Sequence, residues 1–119
     1  MQVIELNHVA IHVANVEASV AFYRDVLGLE PKERPTFDFP GAWFKLGNQE
    51  LHLIGNRTDI VNSHSRGTHF ALRVNNLKAL EDFLREKETR FTNIQSRADG
   101  VQQLFVMDPD GHYIEFCEM

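Results

Sequence analysis

The sequence predicts an α+β fold of two paired βαβββ modules with their helices outside. Three observations predict it. The chain repeats itself when shifted by 61 residues; each copy opens with an alternating strand, an Asn and a helical spacing; and each copy continues with three short strand-like segments divided by turn residues.

The repeat comes first. HVAIHVANVEASVAFYR falls on HFALRVNNLKALEDFLR, with seven of 17 positions identical: His8/His69, Ala10/Ala71, Val13/Val74, Asn15/Asn76, Ala18/Ala79, Phe22/Phe83 and Arg24/Arg85. The expected organisation is a single domain, 1–119, made of a module 1–60 and a module 66–119. The polar stretch NRTDIVNSHSRG, about 56–66, reads as a linker.

The opening strands follow from period-2 alternation. Val9, Ile11 and Val13 alternate with His8, Ala10 and His12, and Phe70, Leu72 and Val74 alternate with His69, Ala71 and Arg73. Asn15 and Asn76 are good helix N-caps. After them, Val16, Val20, Tyr23 and Leu27 form one apolar stripe, and Leu77, Leu80, Phe83 and Leu84 form the other. Gly28 stands where a left-handed C-terminal residue is wanted. The remaining strands are expected near 29–34, 42–47 and 49–54, and near 90–95, 102–107 and 112–117. PGA, GN, ADG and DPDG supply the turns between them.

Composition bounds the function. At 119 residues the chain is one domain's length, enough to bury about two-thirds of its unfolded surface. A net charge of −5, with the basic residues scattered, argues against nucleic acid as a partner. No apolar run approaches the roughly 20 residues of a membrane helix. The N-terminus lacks the basic and apolar regions of a signal peptide. With Cys117 as the only cysteine, the expected compartment is the reducing cytoplasm.

The chemistry lies on one face. In the fourth strand of the first half, Leu51 and Leu53 share a face, and Glu50, His52 and Ile54 share the other. In the last strand, Ile114 and Phe116 go with the helix side, and Tyr113, Glu115 and Cys117 with the opposite side. Superposing the halves, with two extra residues in the second, drops His52 onto Glu115, as His8 drops onto His69. Four coordinating side chains result: His8, His52, His69 and Glu115. Imidazoles with one carboxylate suit a divalent transition metal such as zinc, iron, nickel, cobalt or manganese.

LNHVAIHVANVEASVAFYRDVLGL, THFALRV and the closing DPDGHYIEF resemble the vicinal oxygen chelate superfamily, across essentially the whole chain. This superfamily includes glyoxalase I, methylmalonyl-CoA epimerase, fosfomycin-resistance enzymes, extradiol dioxygenases and bleomycin-resistance proteins. The resemblance implies a cup-shaped open β-barrel, usually in a homodimer, with a metal at the base of each cup. Its ligand positions match His8, His69 and Glu115. The fourth position, often Glu or Gln in glyoxalase-like members, is His52 here, which either ligates or only lines the pocket. The implied chemistry is chelation of two neighbouring oxygens of a small-molecule substrate, with Glu115 moving the proton as in a glyoxalase-type lyase or isomerase. Glu50 is the other acidic group on that face and an alternative base. A binding or sequestering protein, with or without metal, and a thiol transferase of fosfomycin-resistance type are the competing readings. Two features depart from bacterial glyoxalase I: His12 occupies the position of a glutathione-holding Arg, and Met119 follows four residues after Glu115.

Other residues carry weaker expectations. Phe37, Phe39, Trp43 and Phe44 form either a pocket wall or an aromatic core or interface. Arg34, Arg73 and Arg97 are candidate anion anchors, with surface arginine the default for each. His12 is a polar pocket candidate, His64 and His112 are expected in solvent, and Cys117 is expected as a small buried hydrophobe.

Overall fold

The computed structural model describes all 119 residues, which divide into two compact units, Met1–Asp59 and Ile60–Met119. Each unit is one βαβββ module, and the fold is α+β.

In the first unit the elements are β1 (His8–His12), α1 (Val16–Ala21), β2 (Pro31–Lys32), β3 (Gly41–Leu46) and β4 (Gln49–Ile54). The sheet runs β1-β4-β3-β2, with β1 parallel to β4 and the other pairs antiparallel. The Asn15 side chain accepts the Ala18 N–H at 2.9 Å and starts α1. The helix continues as a π-helical turn over Phe22–Val26, in which Leu27 N–H donates to Phe22 O at 3.0 Å. Gly28, at φ 70°, ends it. The helix packs on β3 and β4, and Tyr23, Phe44, Leu51 and Leu53 are fully buried. Each such side chain contributes about 1.5–3 kcal/mol of burial free energy.

The second unit repeats the plan with β5 (Phe70–Val74), α2 (Leu77–Glu86), β6 (Gln95–Ser96), β7 (Gln102–Met107) and β8 (Tyr113–Glu118), in the order β5-β8-β7-β6. Asn76 accepts the Ala79 N–H at 3.0 Å, and Glu118 adds a second cap by accepting the Leu77 N–H at 2.7 Å. Leu77, Leu84, Leu104, Val106, Ile114 and Phe116 form the core under α2.

Three expectations need correction. The second strand of each module is only two residues long. In the first, Pro35 and Pro40 in the following loop lack ladder donors. In the second, Phe91 makes only an isolated bridge to Val106, and the Thr92 hydroxyl accepts the Phe105 N–H at 2.9 Å in place of a ladder carbonyl. Phe83 does not belong to the buried stripe of α2: it is 38% exposed, with Lys87 Nζ 5.4 Å from its ring centroid. Six residues past Leu77 is more than one and a half turns, which takes it off the face of Leu77 and Leu84. Glu81 is buried there instead and receives N–H donors from Lys78 and Ile94.

Candidate metal centre

The register of the two sheets sets equivalent residues in equivalent rows. On the face away from α1, Ala10 pairs with His52, which pairs with Trp43. On the corresponding face of the second sheet, Ala71 pairs with Glu115, which pairs with Phe105. His52 and Glu115 therefore occupy the same place in their modules. An alanine lies on one side of each and an aromatic ring on the other. The small alanine leaves space for the His at the start of the first strand to lean over the row.

In the second unit His69 and Glu115 meet directly. His69 Nε2 is 3.1 Å from Glu115 Oε1, while its Nδ1 contacts the backbone carbonyls of Gly67 at 3.1 Å and His64 at 3.2 Å. A carbonyl only accepts, so Nδ1 carries the proton and Nε2 is turned toward the carboxylate. Phe105 packs edge-on against His69, with ring centroids 5.3 Å apart. Glu115 is buried, and its Oε2 makes no hydrogen bond; the nearest charge is Arg97 Nη1 at 3.5 Å. Arg97 is itself gripped by both oxygens of Asp99, at 2.9 and 2.7 Å, and this pairing pulls the Asp99 carboxyl down to about 2.

The first unit holds His8 and His52 in a different way. Their rings stack with centroids 4.1 Å apart and planes 17° from parallel, and Trp43 stacks on the far side of His52 at 3.9 Å and 4°. His8 Nδ1–H donates to Asn7 Oδ1 at 2.8 Å, which leaves its Nε2 lone pair bare. A metal lies in the plane of a ligating imidazole, so stacked rings send their lone pairs along nearly parallel lines. His8, exposed at the start of its strand, is the ring able to turn out of the stack. Within neither unit do three His, Cys, Asp or Glu side chains gather closely enough to hold a metal by themselves; each unit offers a pair.

The remaining candidates divide. His12 Nε2 contacts the Gly55 carbonyl at 2.8 Å, so that nitrogen is committed to the backbone. Arg34 donates to Phe39 O at 2.9 Å and lies over the rings of Phe37 and Phe39, which in turn lead to Trp43. Phe44 points the other way, into the core. His64 is exposed and leans on Tyr113. His112 is half-buried, its N–H donating to Asp108. Arg73 is exposed and forms no ion pair, whereas Arg97 stands beside Glu115. Cys117 is buried, and burial pushes its thiol pKa up, as suits an inert packing residue.

Residue pattern alone does not reveal two of these features. One is the turn 63–68, whose carbonyls orient His69 and whose Ser63 hydroxyl bonds Thr68 O and the Tyr113 N–H. The other is the approach of Arg97 to Glu115.

Taken unit by unit, the donor types suit a divalent transition metal: the first unit offers in His8 an imidazole whose other nitrogen is hydrogen-bonded, and the second offers His69 of the same kind beside a buried carboxylate with one oxygen free of hydrogen bonds.

The comparisons agree with this architecture. The family described as Glyoxalase/Bleomycin resistance protein/Dioxygenase superfamily matches residues 5–116. Glyoxylase I 4 of Arabidopsis thaliana is 31% identical over 123 residues, covering 94% of this chain and 69% of that one. Metallothiol transferase FosB of Staphylococcus haemolyticus is 29% identical over 117 residues, covering 92% and 80%. The crystal structure of a glyoxalase family protein from Bacillus anthracis superposes with a TM-score of 0.85 at 29% identity, covering 99% of this chain and 97% of that one. The chain belongs to the Glyoxalase/Bleomycin resistance protein/Dioxygenase superfamily.

Proposed function

We propose that this chain is a metal-dependent enzyme of glyoxalase type, a lyase or isomerase of a small molecule with two neighbouring oxygens. In this reading His8, His52, His69 and Glu115 are ligands to a divalent transition metal, and Glu115 moves the proton. The observation that carries the reading is the His69–Glu115 pair, in which the imidazole's other nitrogen is already committed and the carboxylate keeps an oxygen without a hydrogen bond.

When bound, such an ion supplies Lewis-acid stabilisation of the negative charge that develops on a substrate oxygen. The chain's own residues do the rest. The carbonyls of His64 and Gly67 hold the His69 ring, and Asn7 sets the proton of His8. Glu115 is the carboxylate that takes a proton from one substrate carbon and returns it to its neighbour in this reading. Arg97 balances the charge on that carboxylate from 3.5 Å, too far to bind the oxygen tightly. The proposed working form is a homodimer in the cytoplasm, its assembly readable by light scattering.

Metal analysis of protein purified without chelator, followed by turnover of methylglyoxal with glutathione, tests the reading. A bound first-row metal and product formation support it. Protein that neither carries nor takes up metal removes it and leaves a binding or sequestering role. The likeness to a metallothiol transferase favours one second reading, addition of a thiol to an electrophile. Consumption of an epoxide antibiotic with a thiol, without turnover of methylglyoxal, selects it.

A further inference from the structure

Glu50 lies two residues before His52 on the same face of β4, and its two oxygens are divided between two partners. Oε1 accepts from His52 Nε2 at 2.9 Å, and Oε2 accepts from Lys32 Nζ, which arrives from β2 and also lies over the Trp43 ring at 5.8 Å. Lys32 pairs with Trp43, and Trp43 with His52, so the three residues form one row across the sheet. With Lys32 donating to Oε2, the 2.9 Å contact at Oε1 is a bond that His52 Nε2–H donates, which puts the ring proton on Nε2 and the lone pair on Nδ1. The stack with Trp43 fixes the plane of the ring as well. The second module carries no counterpart: two residues before Glu115 stands Tyr113. The module that has an imidazole at this position is the one that adds a carboxylate beside it.

Resting on the metal-binding reading above, we propose that Glu50 is a positioning residue. Held by Lys32, it keeps His52 in one tautomer and one orientation, so that His52 is a metal ligand through Nδ1. A carboxylate behind a ligating imidazole also raises the basicity of the ligand nitrogen. With both oxygens engaged, Glu50 does not serve as the proton-moving base.

Two measurements test this. Long-range ¹H–¹⁵N correlation of the histidine rings in the metal-free protein reads the tautomer directly. The Nε2–H form of His52 is expected in the unaltered chain and in Glu50→Gln, which retains an acceptor; loss of that single form is expected in Glu50→Leu. Competition with a chromophoric chelator reads affinity for zinc. Glu50→Leu weakens it by about 10–100-fold and Glu50→Gln recovers part of the loss. In a His52→Ala background, Glu50→Leu adds no further loss, because the effect passes through that ring. The proposal is overturned if Glu50→Leu leaves tautomer and affinity unchanged, or lowers affinity equally without His52. Because the tautomer is read without metal, a chain that takes up no zinc defeats the functional reading separately from the Glu50–His52 linkage.

Discussion

His69 Nε2 faces Glu115 Oε1 across 3.1 Å, and the backbone carbonyls of Gly67 and His64 keep the other ring nitrogen from competing for that role. In the proposed function Glu115 is the base, and replacing its carboxylate by the neutral isostere keeps the shape while removing that group. Glu115→Gln is expected to lower turnover by about 10²–10⁴-fold, the range of general acid–base contributions. Steady-state kinetics at saturating metal check this, with circular dichroism confirming the fold.

Arg97 is shared between Asp99 and Glu115, and the Asp99 side has the better geometry. The Asp99 carboxyl is pulled from 3.8 to about 2, first by its bond to Arg97. A carboxyl lowered on folding stabilises the fold above its unfolded pKa, and that contribution is lost as pH falls through the folded value. The difference in Tm between the unaltered chain and Asp99→Asn, small because the pair is exposed, should therefore be present at neutral pH and close between about 4 and about 2. Thermal melts across that window decide it.

Gly41, paired with Ile54, lets β3 approach β4 closely. A Cβ there would lie 2.4 Å from the Leu53 carbonyl oxygen and 3.0 Å from Arg34 Nη2. The carbonyl cannot retreat without breaking the ladder. Gly41→Ala should cost about 1–3 kcal/mol in denaturant unfolding.

The cap at α2 gives a milder test. Asn76→Ala removes the acceptor for the Ala79 N–H and should cost about 1 kcal/mol, with Glu118 still holding the Leu77 N–H. Chemical denaturation with both single variants and the double variant separates the two caps.

Much of the architecture was legible because it rests on local rules repeated twice. Alternation put His8 and His69 at the starts of their strands, the Asn caps announced α1 and α2, and Gly28 marked an end. The equivalence of His52 and Glu115 follows from period-2 parity once the repeat is seen, and the sheet register places both between an alanine and an aromatic ring. Illegible features depend on groups without a side-chain signature or on long reach. The carbonyls that orient His69 belong to every residue type, and Thr92 replaced a ladder bond that alternation counted on. Phe83 looked apolar enough for the core, but helix geometry turned it outward. The stacking of His52 between Trp43 and His8 depends on rotamers, which residue spacing does not specify.

The proposed function makes His8 and His69 both metal ligands. Zinc titration against a chromophoric chelator, on the unaltered chain and on His8→Ala and His69→Ala, tests it most directly. The account predicts one equivalent per chain and at least about a tenfold loss of affinity from either substitution. Affinity that survives His8→Ala unchanged, or a stoichiometry near zero, contradicts it.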